Sequence, residues 1–296
     1  MSTCLALCRH MQNRLSGRKR ALAISLALSI PVLVILLYSL VTNSVYGWLV
    51  LTYLGTKYVT VFACLLLFLI NPELGLTAYS AVLLAGCTAA ALKLVFKLPR
   101  PPPSHWRVKV SGYGFPSGHA TMSSAAYSIV ALYFRYPCIA ATCLLFIIAV
   151  ALSRVMLGVH YPRDVIGGAV IGFLIALLMY MLYRKYRTPL IPLVVFVILG
   201  AVSYVYCRYP DCLNAVALGI GLILAHVLLH EKYEVIRRAT LIRKSISAVL
   251  TLFLCLIIVY AIHGAGLVLA ALGHFVCGIV LVACPYAVSV PQLHHH

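Results

Sequence analysis

Acidic residues are almost missing from this 296-residue chain: 5 Asp and Glu stand against 23 Lys and Arg, a formal net charge of +18. Charge of any sign is scarce, at 9% of residues, where ordinary soluble domains carry about 25%. So few charges do not cover a water-facing globule, and with 64% hydrophobic residues the chain is expected to sit in a membrane. Soluble functions fall with that, and nucleic-acid binding with them, because a basic DNA-binding surface needs a polar background that this chain lacks. Five scattered acids are also too few for a carboxylate cage around a divalent ion, so neither metal nor cofactor is expected. The 11 cysteines show no CxxC metal pattern and no even-numbered disulfide framework, and most lie in apolar runs where Cys acts as a small hydrophobe. Cys207 and Cys212 stand apart. They flank the polar stretch Cys-Arg-Tyr-Pro-Asp-Cys and could pair in an oxidising compartment.

What the chain has in quantity is long apolar runs. A spanning helix takes about 20 such residues. Ten candidates follow: 21–42, 48–70 (broken at Gly55-Thr56-Lys57), 74–96, 119–134, 137–153, 164–183, 189–206, 212–230, 246–262 and 267–286. The fold class expected is an all-α polytopic transmembrane helical bundle. Residues 1–20, with Arg9, Arg14, Arg18, Lys19 and Arg20, read as a basic cytoplasmic segment before an uncleaved first span. His294 to His296 carry no role in this reading. With the N-terminus inside, cytoplasmic loops receive Arg135, the Arg184–Arg187 cluster and Lys232, Arg237, Arg238, Arg243 and Lys244. The outside then receives Lys93, Lys97, Arg100, Arg107, Lys109, Arg154 and Arg163, against the usual bias. Those outer cations fall in two segments, and both segments carry motifs.

Three patterns lie at helix ends on that outer side: Lys93 with Arg100-Pro101; Pro116-Ser117-Gly118-His119; and Ser153-Arg154 with His160 and Asp164. Lys93, Arg100 and Arg154 outnumber the single carboxylate of Asp164, so the ligand they suit is an anion. Guanidinium forks match phosphate oxygens, and Lys adds a point charge. Ser117 and Gly118 open the fourth span, where free backbone N–H groups and the helix dipole favour phosphate. His160 and Asp164 are four apart, one turn if the helix has begun by His160; the carboxylate would then fix the imidazole tautomer and free its other nitrogen to attack. His119, from another helix, is placed to protonate a leaving oxygen.

The set resembles the type 2 phosphatidic acid phosphatase superfamily: Lys, six residues, Arg-Pro; Pro-Ser-Gly-His; Ser-Arg, five residues, His, three residues, Asp. All eleven specified positions are present in order. The resemblance covers roughly residues 21–186 and implies a six-helix membrane phosphatase core, placed at 21–187, with about four additional transmembrane helices at 188–293. It implies that His160 forms a phosphohistidine supported by Asp164, that His119 protonates the leaving group, and that Lys93, Arg100, Ser117, Gly118, His119 and Arg154 bind phosphate. The extra helices resemble the larger sphingosine-phosphate phosphatase and glucose-6-phosphatase relatives.

The function expected is therefore hydrolysis of a lipid phosphate or diphosphate at the extracytoplasmic or lumenal face, with membrane lipids as surroundings and a phosphorylated lipid as partner. A polyprenyl diphosphate is the first choice. Phosphatidate, sphingoid or sugar phosphates, or a non-catalytic lipid-binding role on the same scaffold, are the alternatives. Gly168 and Gly172 read as close helix packing, small-xxx-small. His226 and His230 read as interfacial histidines, and no direct pair is implied between the sequence neighbours Arg163 and Asp164.

Overall fold

In a bilayer every backbone polar group must find its partner inside the chain, which leaves helices as the natural outcome for runs this apolar. The structure, a computed structural model, describes the backbone of residues 2–290 and the side chains of residues 17–290. Arg9, Arg14 and His294 to His296 fall outside the described side chains. The α-helices are α1 (Ser2–Thr42), α2 (Val45–Tyr53), α3 (Lys57–Ile70), α4 (Pro72–Phe96), α5 (Gly118–Phe134), α6 (Pro137–Met156) and α7 (Pro162–Tyr186). They continue with α8 (Leu190–Cys207), α9 (Pro210–Leu229), α10 (Tyr233–Arg238), α11 (Leu241–Ala261) and α12 (Leu267–Ser289). No strand occurs among the described residues. The protein is an all-α, multi-span membrane bundle.

Among the described residues, eight helices are long and apolar enough to cross a membrane, and a ninth span results if α2 and α3 are taken together. These two differ from a simple span for a local reason. Leu54-Gly55-Thr56 interrupts the run, Thr56 Oγ1 accepts from Val59 N to restart the helix, and the two pieces meet at 42°. The remaining expected span is α5, whose 17 residues lie at the short end of the spanning range of about 17–25. Its small residues Ala120, Ser123, Ser124 and Ala125 are all buried, and α4, α6 and α7 close around it. The four expected C-terminal spans are α8, α9, α11 and α12. The expected division at 20/21 falls inside the continuous helix α1.

Helix ends follow the local chemistry. Asn71 caps α4 through a bond from Leu74 N, with Pro72 at the first position. Lys97, Arg135, Arg187 and Arg208 close α4, α5, α7 and α8 in the left-handed conformation. Each brings a cation to the negative end of a helix dipole.

The bundle has two distinct ends. At one, Gly17 faces the Tyr136 hydroxyl, Asn71 donates to Tyr133 at 2.8 Å, and Glu73 meets Arg237 at 3.1 Å and accepts from Tyr183 at 3.3 Å. At the other, Arg107 donates to Asn43 at 2.8 Å and Lys57 pairs with Asp211 at 3.2 Å. The C-termini of α4 and α6 and the N-termini of α5 and α7 all emerge at this second end. α1 and α2 pack on α6, while α8 and α9 pack on α4.

Candidate functional site

The two elements that carry the histidines are locked together first. Ser117, the N-cap of α5, donates its backbone N–H to the carbonyl of Asp164 in α7 at 2.9 Å. α7 then runs along α5 with no room to spare. A Cβ on Gly168 would lie 2.8 Å from Ser117 O, and one on Gly172 would run into Thr121 O. The small-xxx-small spacing therefore fixes the separation of the two helices, as expected from the sequence.

His160 lies in the turn before α7, buried at 4% exposure. Its partner Asp164 is fully buried. The pairing arises differently from a helical i, i+4 contact, because α7 starts only at Pro162. Asp164 Oδ2 instead reaches back to cap the helix, accepting from Tyr161 N at 3.0 Å, and the same oxygen meets His160 Nδ1 at 3.4 Å. A second departure concerns Arg163. Its Nε approaches Asp164 Oδ1 at 3.7 Å, so the neighbours do make an ion pair, because capping turns the carboxylate back toward the helix start.

The opposite face of the imidazole belongs to Arg100. Arg100 Nη1 lies 3.0 Å from His160 Nε2 and donates to Val159 O at 3.0 Å. Its other nitrogens donate to Gly112 O and Ser111 O, each at 3.0 Å. Lys93, in the last turn of α4, donates to Tyr113 O at 2.8 Å and Gly114 O at 3.2 Å. One loop, 111–114, thus presents four consecutive carbonyls that hold both cations. Gly114 is required there: a Cβ would stand 2.9 Å from Asp164 Oδ2 and 3.1 Å from Pro99 O.

Arg154, at the end of α6, is 5% exposed and its Nε has no hydrogen-bond partner; the buried Ser117 hydroxyl has none either. Leaving such donors unpaired costs roughly 1–3 kcal/mol each, more for a charged group. Gly118 faces open space, with nothing within 4 Å of the position its Cβ would occupy. His119 is half-buried, its Cβ packed against Gly55 in the α2–α3 break, with the cations Arg154, Arg100 and Lys93 and the His160 ring as neighbours. All eight residues singled out in the sequence thus gather at one end of the bundle. Three cations against one carboxylate leave a surplus of two positive charges, which suits a phosphate dianion.

Burial governs the proton on His160. It pushes the imidazole pKa down to about 4, helped by Arg100, Lys93 and Arg154 and opposed by the hydrogen bond to Asp164. The ring is neutral at physiological pH.

The match to the PAP2 superfamily model runs from residue 74 to residue 188, taking in α4 through α7 and all eight residues. Residues 74–188 are a PAP2 superfamily domain. The PAP2 relatives include the decaprenylphosphoryl-5-phosphoribose phosphatase of Mycolicibacterium smegmatis, 40% identical over 88 residues. That alignment takes in 29% of this chain and 47% of the relative. The lipid A 1-phosphatase of Rhizobium etli is 33% identical over 109 residues, 33% of this chain and 46% of the relative. The chain spans about half the length of the curated relatives it matches. Among solved structures, a transmembrane PAP2 type phosphatidylglycerolphosphate phosphatase from Bacillus subtilis aligns with a TM-score of 0.42 at 23% identity. It covers 57% of this chain and 87% of its own.

Sequence reasoning missed the backbone of the PAP2 site. The carbonyls of residues 111–114 and Val159, which position Lys93 and Arg100, have no side-chain signature. The Gly55 interruption was visible in the sequence, but its place against His119 was not.

Proposed function

We propose that the protein is an integral-membrane, metal-independent phosphatase that takes a lipid phosphate or diphosphate, polyprenyl diphosphate first, through a phosphohistidine on His160 at the extracytoplasmic face. The observation that carries this is the orientation of His160. With Nδ1 turned to Asp164, the Nε2 lone pair faces Arg100, so the nitrogen able to attack lies beside the cation able to hold phosphate.

A phosphate oxygen, bearing full negative charge, is a better acceptor for Arg100 than a neutral imidazole. Its arrival draws the guanidinium off Nε2. Nε2 then attacks phosphorus as the bond to the leaving oxygen breaks, and His119, which takes up a proton from solvent once the bound dianion offsets its cationic neighbours, gives that oxygen its proton. Lys93, Arg100, Arg154 and the α5 N-terminus hold the equatorial oxygens, where charge spreads in the transition state. In the second half, water attacks phosphorus, His119 takes its proton, the N–P bond breaks and inorganic phosphate departs. Asp164 stabilises the His160 imidazolium throughout. Three fixed cations supply the charge that a divalent ion would otherwise provide.

The outward face is supported by charge placement: the Arg184–Arg187 cluster and Arg237 and Arg238 lie at the end opposite the site. The lipid substrate is supported by a site at the membrane boundary and by relatives whose names specify a decaprenylphosphoryl compound and lipid A.

The test is phosphate release in detergent with EDTA present, comparing a polyprenyl diphosphate, phosphatidate, sphingosine phosphate and glucose 6-phosphate. Release from the lipids, fastest from the prenyl compound, is expected, with His160→Ala slower by at least about 10³-fold. Turnover of glucose 6-phosphate alone would reject the lipid reading, and undiminished release by the variant would reject the nucleophile.

A further inference from the structure

The turn between α8 and α9 packs into the same end of the bundle as the site. α8 ends at Cys207 and α9 opens at Pro210. Arg208 takes the left-handed conformation (φ 55°) and its N–H bonds Tyr204 O at 2.8 Å, while Cys212 N bonds Tyr209 O at 3.0 Å. Those two backbone bonds turn both cysteine side chains inward. Cys207 is 8% exposed and Cys212 1%, and their sulfurs lie 3.5 Å apart.

The turn is tied outward at two further points. Asp211 pairs with Lys57 at the start of α3, and the Tyr209 hydroxyl lies 3.9 Å from where a Cβ of Gly112 would stand. Gly112 belongs to the loop whose carbonyls hold Arg100. The C-terminal helices therefore reach the 111–114 loop through this turn.

We propose that Cys207 and Cys212 form a disulfide that clasps the α8–α9 turn against the 111–114 loop. This rests on the reading that the site end faces an oxidising compartment. Each thiol gives up a proton, the sulfurs close to a bond of about 2.05 Å, and two electrons pass to a disulfide oxidant, protein or small-molecule, which leaves as two thiols. Both sulfurs are buried in the packed bundle, so the bond forms before α8 and α9 close on α4. The third cysteine in the neighbourhood, Cys87 of α4, sits beside Cys212 and is the competing partner.

Cells are blocked with N-ethylmaleimide at lysis, and the purified protein is digested without reductant for mass spectrometry. The expected product is a Cys207–Cys212 link with Cys87 alkylated. A Cys87–Cys212 link, or alkylation of both Cys207 and Cys212 in cells and after equilibration with oxidised glutathione, overturns the pairing. A bond that forms with glutathione but is missing in cells overturns its presence in the living membrane. Labelling of Lys109→Cys on intact cells by an impermeant maleimide, above the wild-type background, judges the outward face independently; no labelling overturns that face. Reductant is expected to lower Tm by roughly 5 °C in the wild type and to leave a Cys207→Ser/Cys212→Ser variant unmoved. An equal response of the two overturns the clasp.

Discussion

At the residue scale, the site depends on one imidazole kept neutral and one guanidinium kept charged, side by side. Burial supplies the first condition, since charging His160 in its enclosed position costs more than in water. The folded-state pKa is lowered, so the ring stays neutral as pH falls through its usual value near 6.5 and takes up its proton only near 4. Stability linked to this group is present above about 6.5 and is lost as pH falls from there toward 4. A histidine NMR titration of the substrate-free protein should show a ring that protonates near pH 4 and is absent from the His160→Ala spectrum. A midpoint near 6.5 would mean a solvated ring and would remove the physical basis for a nucleophile free of its proton. The same scale explains Arg154 and Ser117: buried donors without acceptors are an uncompensated cost that an anion can relieve.

At the element scale, geometry is passed between helices by backbone rather than by side chains. The Ser117–Asp164 bond and the close approach of Gly172 to Thr121 set the distance from His119 on α5 to His160 before α7. Gly172→Val is therefore expected to cost about 1–3 kcal/mol of stability and to lower kcat although every catalytic residue is present. Gly86→Ala serves as control, since the added carbon meets only the flexible Met122 side chain, at 3.4 Å, and should lower neither. Thermal unfolding and turnover measured on the two variants decide this; equal behaviour would show that α5 and α7 are not spaced by that contact. The α2–α3 break belongs at this scale as well. It shortens a would-be span and brings Gly55 to His119 and the Leu54 carbonyl to the Tyr127 hydroxyl at 2.8 Å.

At the scale of the whole molecule, the +18 charge divides into two uses. Cations at the end of α7 and near α10 mark one face, and Lys93, Arg100 and Arg154 gather at the other, where they form the anion site we propose. Orthovanadate, which adopts the trigonal-bipyramidal shape of the transition state, should raise Tm by mass action and inhibit turnover, both with EDTA present. A requirement for added Mg²⁺ in either effect would reject the metal-free scheme, and complete insensitivity would reject the site.

The sequence by itself determined the membrane class, the helical fold and the identity of the eight clustered residues. Composition fixes the solvent, apolar length fixes the element, and a motif names side chains. Only the tertiary structure decided how they work. Asp164 reaches His160 as a helix cap, not along a helix face, because α7 begins two residues later than the spacing suggested. His226, read as interfacial, is buried and bonded to the Tyr233 hydroxyl at 3.0 Å, seven residues further along the same helical path, since α10 continues the span that α9 begins. The cations are held by carbonyls of residues 111–114, and α8 and α9 reach that loop through Tyr209. Carbonyls are common to every residue, so no pattern of letters marks which of them will converge; that is settled only when distant helices pack.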